Sequence, residues 1–251
     1  MLRFSRSLSM PVGAGLLLPG VLSFFLVSSG CGPDFGPAGP ERTETRNVEL
    51  DNSEEVQAEL RMGAGELRVH GGAAKLMEAR FVYNRLRLRP EVSYHGGSAA
   101  GFRGHLLVEE PSGVHGGSNR YEWNLAFNND KPLDLEVKCG AGESRLDLGE
   151  LSLRRVDVQM GVGELRMDLR GTPKNNYEVS IRGGVGEATI YLPGGPGVGI
   201  EAEARGGIGG VSATGLEKRG GRYVNEALGH AKTTVRLDIQ GGIGSIRLIA
   251  E

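Results

Sequence analysis

The chain has 251 residues, a formal net charge of −2 and 42 glycines. This charge excludes a general electrostatic attraction to nucleic acid, and no nucleic-acid partner is expected. Aromatic residues make up only 6% of the chain, which excludes a large aromatic core. Glycine is more than twice as frequent as its usual ~7%, and this composition is typical of a β-rich, extended protein.

The predicted elements begin with a targeting segment over residues 1–30. Arg3 and Arg6 form a basic start, an apolar stretch covers residues 11–27, and small residues precede Cys31. This order resembles a bacterial lipoprotein signal, in which the cysteine becomes the lipid-bearing first residue of the mature chain. The sequence therefore predicts lipidation at Cys31. An ordinary cleaved signal peptide and an uncleaved anchor helix are the alternatives.

A flexible tether is predicted over residues 31–45, because its Pro/Gly-rich beginning cannot form a packed core. A first β-rich unit is predicted over residues 46–118. Its end is marked by Gly/Ser-rich turn signals. A regular array is predicted from 119 to 251, and Trp123 is expected to cap its core.

Six short glycine motifs recur along the chain, each with one apolar residue between two glycines. Their first glycines are 77, 21, 23, 23 and 35 residues apart. A repeated step near 22 residues is the length of one solenoid coil. The motifs are Gly63-Ala64-Gly65, Gly140-Ala141-Gly142, Gly161-Val162-Gly163, Gly184-Val185-Gly186, Gly207-Ile208-Gly209 and Gly242-Ile243-Gly244.

Apolar residues alternate on both sides of the motifs, as in Leu135 and Val137 before one corner and Leu165 and Met167 after the next. Spacing two is the period of a strand with one buried face. Each copy therefore predicts a strand, a glycine corner and a second strand in an all-β fold. The central residue of each motif is expected to point into the core. Antiparallel hairpins in a sandwich share the same local signals and remain an alternative.

Acidic and basic residues also repeat on the outward positions, as in Glu59 and Arg61 or Glu143 and Arg145. Stacked coils would place columns of acids beside columns of bases, which indicates a charge-balanced exterior. The alternative is a cation site or a glycan-cleaving carboxylate pair, but that chemistry needs two particular acids at a defined gap. No pair stands out from the column.

The sequence predicts no catalytic residue, no cofactor and no metal site. Cys139 occupies a position that is methionine in other copies, and it is expected to be a buried apolar thiol. The five histidines lack metal-ligand spacing.

The last glycine step is 12 residues longer than the one before it, which places an insertion at residues 215–230. Insertions in repeat arrays form loops on one face and often bind partners. The insertion is predicted to be a protruding loop, with Arg222 and Tyr223 as its candidate partner contacts. An ordinary surface turn is the alternative.

Several of these segments resemble the toast-rack family. The N-terminal domain of that family is similar to the stretches 61–69, 81–84 and 90–94, and its β-solenoid is similar to residues 132–143 and their repeats. The resemblance implies a right-handed parallel β-solenoid with a toast-rack N-terminal domain and an envelope location, as in the extracytoplasmic part of proteins that respond to cell-wall-active antibiotics. It implies no catalytic residue.

The sequence therefore predicts a non-enzymatic, membrane-anchored lipoprotein of the bacterial cell envelope, on the extracytoplasmic side. It would act as a binding or scaffold module or as an envelope-stress sensor. Its expected partners are the membrane, through the lipid, and another envelope protein or a cell-wall polymer. The alternatives are a β-solenoid protein that binds or cleaves glycans, and a self-assembling, adhesin-like surface protein.

Overall fold

A computed structural model describes residues 39–97, 103–111 and 120–251, which form an all-β fold. The predicted signal segment, Cys31 and residues 32–38 of the tether lie outside these ranges. One turn of 3-10 helix covers Leu86–Leu88. The strands are β1 (Arg42–Val48), β2 (Glu55–Gly71), β3 (Met77–Tyr83), β4 (Glu91–His95), β5 (Arg103–Glu109), β6 (Tyr121–Phe127), β7 (Leu133–Asp147), β8 (Leu153–Asp168), β9 (Tyr177–Leu192), β10 (Val198–Ile208), β11 (Val211–Thr214), β12 (Glu217–Arg219), β13 (Arg222–Val224), β14 (Thr233–Ile243) and β15 (Ile246–Ala250).

The long strands fold back on themselves at the glycine motifs. Strand β7 has 15 residues, which would span about 50 Å if straight. Only residues 148–152 connect it to β8, and β8 runs parallel to it in register. So short a connection cannot return along a straight strand, so each long strand must bend in its middle. The predicted order of strand, corner and strand is confirmed.

The bends divide the sheet into two layers. The first layer contains the residues before the corners, in the strand order β4-β5-β2-β7-β8-β9-β14-β10-β13-β12. The second layer contains the residues after them, in the order β1-β3-β6-β2-β7-β8-β9-β15-β11. Neighbouring coils pair in parallel, and the fold is an open β-solenoid.

A single hydrophobic core fills the space between the layers. Leu135 and Val137 point into it from the first layer of β7, and Leu146 points into it from the second. The outward residues between them are charged or polar. The period-two pattern in the sequence therefore reports the buried face of each coil correctly.

The corner glycines are required by the backbone path. The second glycine of each motif has a positive φ, as in Gly142 (125°) and Gly163 (143°). A Cβ on Gly163 would lie on the carbonyl oxygen of Gly142 in the preceding coil. Only glycine combines this φ with so close a backbone approach.

The central residues of the motifs do not point into the core, contrary to the prediction. The side chains of Val162, Val185, Ile243 and Ile208 are 55%, 46%, 50% and 73% exposed. Each stands at the apex of the bend, where both layers turn away beneath it, so its side chain faces outward. The alternation of a straight strand stops at the corner glycine.

The last coil in the sequence is not the last coil of the stack. Strand β14 pairs with β9 on one side and with β10 on the other. The coil formed by β14 and β15 therefore lies between the β9 coil and the coil formed by β10 and β11. The 12 additional residues of the final glycine step allow the chain to return to this inner place.

The first coil belongs to both predicted units. Strand β6, placed by the sequence in the second unit, pairs with β3 and with the second half of β2. Strand β1 begins at Arg42, within the range predicted as tether. The boundary at 118/119 stays a prediction. Trp123 lies in the core at this place.

Candidate binding surface

The predicted loop at residues 215–230 contains a hairpin that extends the first layer. Strand β13 pairs antiparallel with β10, and β12 pairs with β13. The buried Asn225 fixes the end of the hairpin, because its side chain donates to Val198 O at 2.7 Å and accepts from Ile200 N at 2.9 Å. The insertion is therefore a paired edge of the sheet and not a free loop.

The hairpin places its two predicted contact residues differently. Arg222 is exposed, and its Nη1 lies 2.5 Å from Glu201 Oε1. Tyr223 is half-buried and packs against the core, and Lys218 Nζ lies 5.4 Å from its ring centroid. Arg222 is exposed and ion-paired within the chain, whereas Tyr223 packs the hairpin against the stack. Their role as partner contacts stays a prediction.

Arg222 borders a groove of about 490 Å³ on the outer surface of the first layer. Most residues that line the groove are charged and come from β8, β9, β10, β13 and β14. Apart from Arg222 they were not predicted as site residues, although they belong to the repeated columns of acids and bases. The polar lining residues are Arg155, Glu178, Ser180, Arg182, Glu201, Glu203, Arg222, Arg236 and Asp238.

Strand register explains why opposite charges meet in the groove. Glu178 lies between Arg155 and Arg236 on the neighbouring strands, and Arg236 lies beside Glu201. The coil order β9-β14-β10 creates this alternation, so it could not be read from chain order. Such a surface offers many hydrogen-bond donors and acceptors at fixed positions.

The acid columns are held by bases, as predicted for a charge-balanced exterior. Lys138 Nζ lies 2.8 Å from Glu59 Oε1 and 2.7 Å from Glu136 Oε1. Hydrogen bonds from Arg61 and Lys138 hold the pKa of Glu59 below its ordinary value. A glycosidase acid needs the opposite environment, one that keeps a carboxyl protonated.

A second paired carboxylate, Glu44 on β1, gives a pH-dependent stability. It accepts hydrogen bonds from Arg89 Nη2 at 2.8 Å and from Tyr83 OH at 2.9 Å. The Arg89 hydrogen bond, helped by Tyr83 and the charge of Arg46, holds the pKa of Glu44 at about 2, against an ordinary 4.5. A lowered pKa contributes stability that is complete above pH 4.5 and is lost as the pH falls towards 2.

We therefore expect Glu44→Gln to remove part of the acid sensitivity of unfolding. The free energy of unfolding of the wild type should fall by roughly 1–2 kcal/mol as the pH falls from 4.5 towards 2. This value allows for the solvent screening of the exposed Arg89. Urea unfolding at pH 4.5, 3.5 and 2.5 measures the loss. Glu49→Gln, at a far more exposed acid near the same strand, is the control for the general effect of removing one carboxylate. Equal curves for the wild type and Glu44→Gln would contradict the assignment.

Cys139 is buried, and burial raises the pKa of its thiol, in agreement with the predicted apolar role. No group of three or more histidine, cysteine, aspartate or glutamate side chains in the described ranges is placed to hold a metal ion.

Within residues 39–97, 103–111 and 120–251, no helix has the length and apolar character needed to cross a membrane.

The fold and this surface define the chain as an open parallel β-solenoid with charged outer layers and a hairpin at one edge. The family model for the N-terminal domain of toast_rack, DUF2154, matches residues 37–191. This match covers more than half of the chain, and the chain therefore belongs to the toast-rack family.

A solved structure shares this fold, and a second one is a weaker match. A "putative cell adhesion protein" from Clostridium sporogenes ATCC 15579 is 33% identical, with 84% of this chain and 100% of that chain covered at a TM-score of 0.79. A "putative adhesin" from Bacteroides fragilis NCTC 9343 is 11% identical, with 84% and 98% covered at a TM-score of 0.33. The latter likeness supports no functional argument. No curated protein matches this chain.

Proposed function

We propose that the chain is a non-enzymatic, lipid-anchored protein of the bacterial cell envelope that works as an extracytoplasmic binding module. The observation that carries this proposal is the similarity of this chain to the protein named for cell adhesion, which is covered over its whole length. The predicted lipoprotein signal supports the location in the cell envelope. The paired acids of the outer columns favour a binding surface over a hydrolytic one.

The groove bordered by Arg222 is the proposed contact surface. It lies on the stack at the end opposite to β1, where the described chain begins. A tether at the N-terminal end would therefore hold this surface away from the membrane. The partner would be another envelope protein or a cell-wall polymer, since both offer charged and hydroxyl groups to such a groove.

Crosslinking in native membranes, followed by mass spectrometry, tests both parts of the proposal. The wild type should remain with the membrane fraction and carry a lipid mass, and Cys31→Ser should be released. Arg222→Glu should stay anchored but lose its crosslinked partner. Arg145→Glu is the matched control, because its side chain is as exposed as that of Arg222 (55%) but lies on the second layer.

Each outcome points to a different conclusion. Retention of Cys31→Ser in the membrane would contradict the lipid anchor. A partner that survives Arg222→Glu but is lost with Arg145→Glu would move the contact surface to the second layer. Recovery of shortened glycan fragments would favour the glycan-cleaving alternative.

A further inference from the structure

The apex residues of the six corners form one continuous apolar column. Strand register aligns them directly, one coil above the next. Six strands at the usual spacing give a column about 24 Å long. We call this column the corner ridge, and in stack order it consists of Ala64, Ala141, Val162, Val185, Ile243 and Ile208.

Five of the six ridge residues are exposed although they are aliphatic, and Ala64 is half-buried. Glycines flank every apex residue, so its immediate neighbours in the chain carry no side chain that could cover it. A contiguous exposed apolar strip is unusual on a soluble surface and marks an interaction site. The apex residues do not line the groove, although Arg182 beside the ridge belongs to both surfaces.

Charged columns border the ridge, with a different sign on each side. On the first layer, four bases stand two residues before their motifs: Arg61, Lys138, Arg182 and Arg205. Arg61 and Lys138 are also paired with Glu59 of their own chain. On the second layer, four glutamates are stacked in direct register: Glu66, Glu143, Glu164 and Glu187. Like charges stacked in this way repel one another.

Pairs within the chain offset part of this repulsion. Glu66 and Glu143 meet Arg68 and Arg145 at 3.3 and 3.5 Å, Glu187 is paired with Arg247, and these side chains are about half exposed. Exposed pairs of this kind contribute little. The glutamate column can therefore gain further from positive charge that faces it.

A second copy of the same chain supplies that charge in one orientation only. If two ridges face each other in parallel, about a two-fold axis along the stack, the basic column of each copy faces the glutamate column of the other. Arg61, Lys138 and Arg182 then stand at the same levels as Glu66, Glu143 and Glu187 of the second copy. An antiparallel pairing would place bases against bases and acids against acids.

The charges match at four of the six levels. In the β14 coil the basic position is occupied by Gln240 and the corresponding glutamate position by Ser245, so a neutral residue meets a neutral residue there. In the β8 coil Gln159 would meet Glu164, and in the β10 coil Arg205 would meet Gly210, so these two levels carry one charge each.

We propose that the corner ridge is a homodimer interface in which two copies pack side by side in parallel. The proposal goes beyond the proposed function and agrees with it, since parallel copies present their N-terminal ends on the same side, as two chains anchored in one membrane must. The pairing of bases with glutamates across the two ridges does not depend on the lipid anchor.

Disulfide crosslinking of the mature full chain in detergent tests the orientation. In a Cys139→Ser background, Val185→Cys should form a symmetric disulfide on mild oxidation, and so should Val162→Cys. A mixture of Val162→Cys and Ile243→Cys should give no mixed product, because parallel pairing separates them by about 10 Å, beyond disulfide reach. Thr45→Cys, at an exposed position of β1, is the control for random collision.

Charge reversal tests the pairing itself by sedimentation equilibrium. Arg182→Glu alone and Glu187→Arg alone should each weaken the dimer by about tenfold or more, since each change acts twice in a symmetric interface. The double variant should restore the dimer, and each single variant should keep the far-UV circular dichroism spectrum of the wild type. A monomer at high concentration, a double variant as weak as the single ones, or equal crosslinking of Thr45→Cys would overturn the proposal. So would a monomer whose ridge instead binds lipid vesicles or a different protein. None of these results alters the test of Cys31.

Discussion

Gly163→Ala is expected to lower the free energy of unfolding by roughly 3 kcal/mol or more, from strain and from overlap with the neighbouring coil. Gly163 has a φ of 143°, which L-residues rarely adopt. A Cβ there would also lie on the carbonyl oxygen of Gly142, which is backbone and cannot rotate away. Urea unfolding followed by far-UV circular dichroism measures the change.

Gly183→Ala is the matched control for this prediction. Gly183 belongs to the next corner and pairs with Met160 of the preceding coil, so the two residues occupy equivalent positions. No atom lies within 4 Å of a Cβ built on it, and its φ is not in the left-handed region. Alanine there should leave stability unchanged or raise it by about 0.4–1 kcal/mol, because the unfolded chain loses freedom. Equal losses for Gly163→Ala and Gly183→Ala would show that the corners tolerate no side chain for some other reason.

The body of each coil could be predicted because its pattern is local. Leu135 and Val137 alternate with charged residues, and a strand with one buried face is the simplest structure with that period. The outward charges follow from the same alternation, so Glu59 and Lys138 meet as expected. Repetition at a fixed step then gives the stack.

The apex residues could not be placed by the same rule. Period two tells which residues share a face only while the strand is straight. At a corner glycine with positive φ the strand changes direction, so the alternation of inward and outward side chains is interrupted. Val185 therefore points outward although its neighbours in the pattern point inward. An apolar residue between two corner glycines therefore indicates an exposed position. Its hydrophobicity alone had predicted a position in the core.

Coil order and the groove depend on pairing between distant parts of the chain. The 35-residue step revealed an insertion but not that β14 would lie between β9 and β10. Because the groove is made by those three strands together with β8, its residues Arg155, Glu178 and Arg236 come together only in the folded stack. Arg222 lies inside the insertion, so the sequence could point to it, and its role in binding stays a prediction.

Trp123→Ala is the second change with a large expected effect, about 3–5 kcal/mol for the loss of a fully buried indole. Trp123 lies on β6 between Leu67 of β2 and Phe81 of β3, so it joins the N-terminal strands to the first coil. Its ring packs edge-on against Phe81 at 5.6 Å and against Tyr121 at 5.8 Å. Trp123→Phe keeps most of this contact and should cost roughly half as much or less. Because Trp123 is the single tryptophan, circular dichroism must replace fluorescence as the probe.

The same variant shows whether the stack unfolds as one unit. In a repeat array each coil touches only its neighbours, so damage at one end need not reach the other. Strand β2 is the first coil and also the partner of β6, and the loss of Trp123 should release β1, β3 and β6 first. Hydrogen exchange read by mass spectrometry should show faster exchange in those strands while β8 and β9 stay protected. Uniformly faster exchange, including β8 and β9, would mean that the N-terminal strands and the coils fold as one cooperative body, and that the first coil transmits the loss through the core.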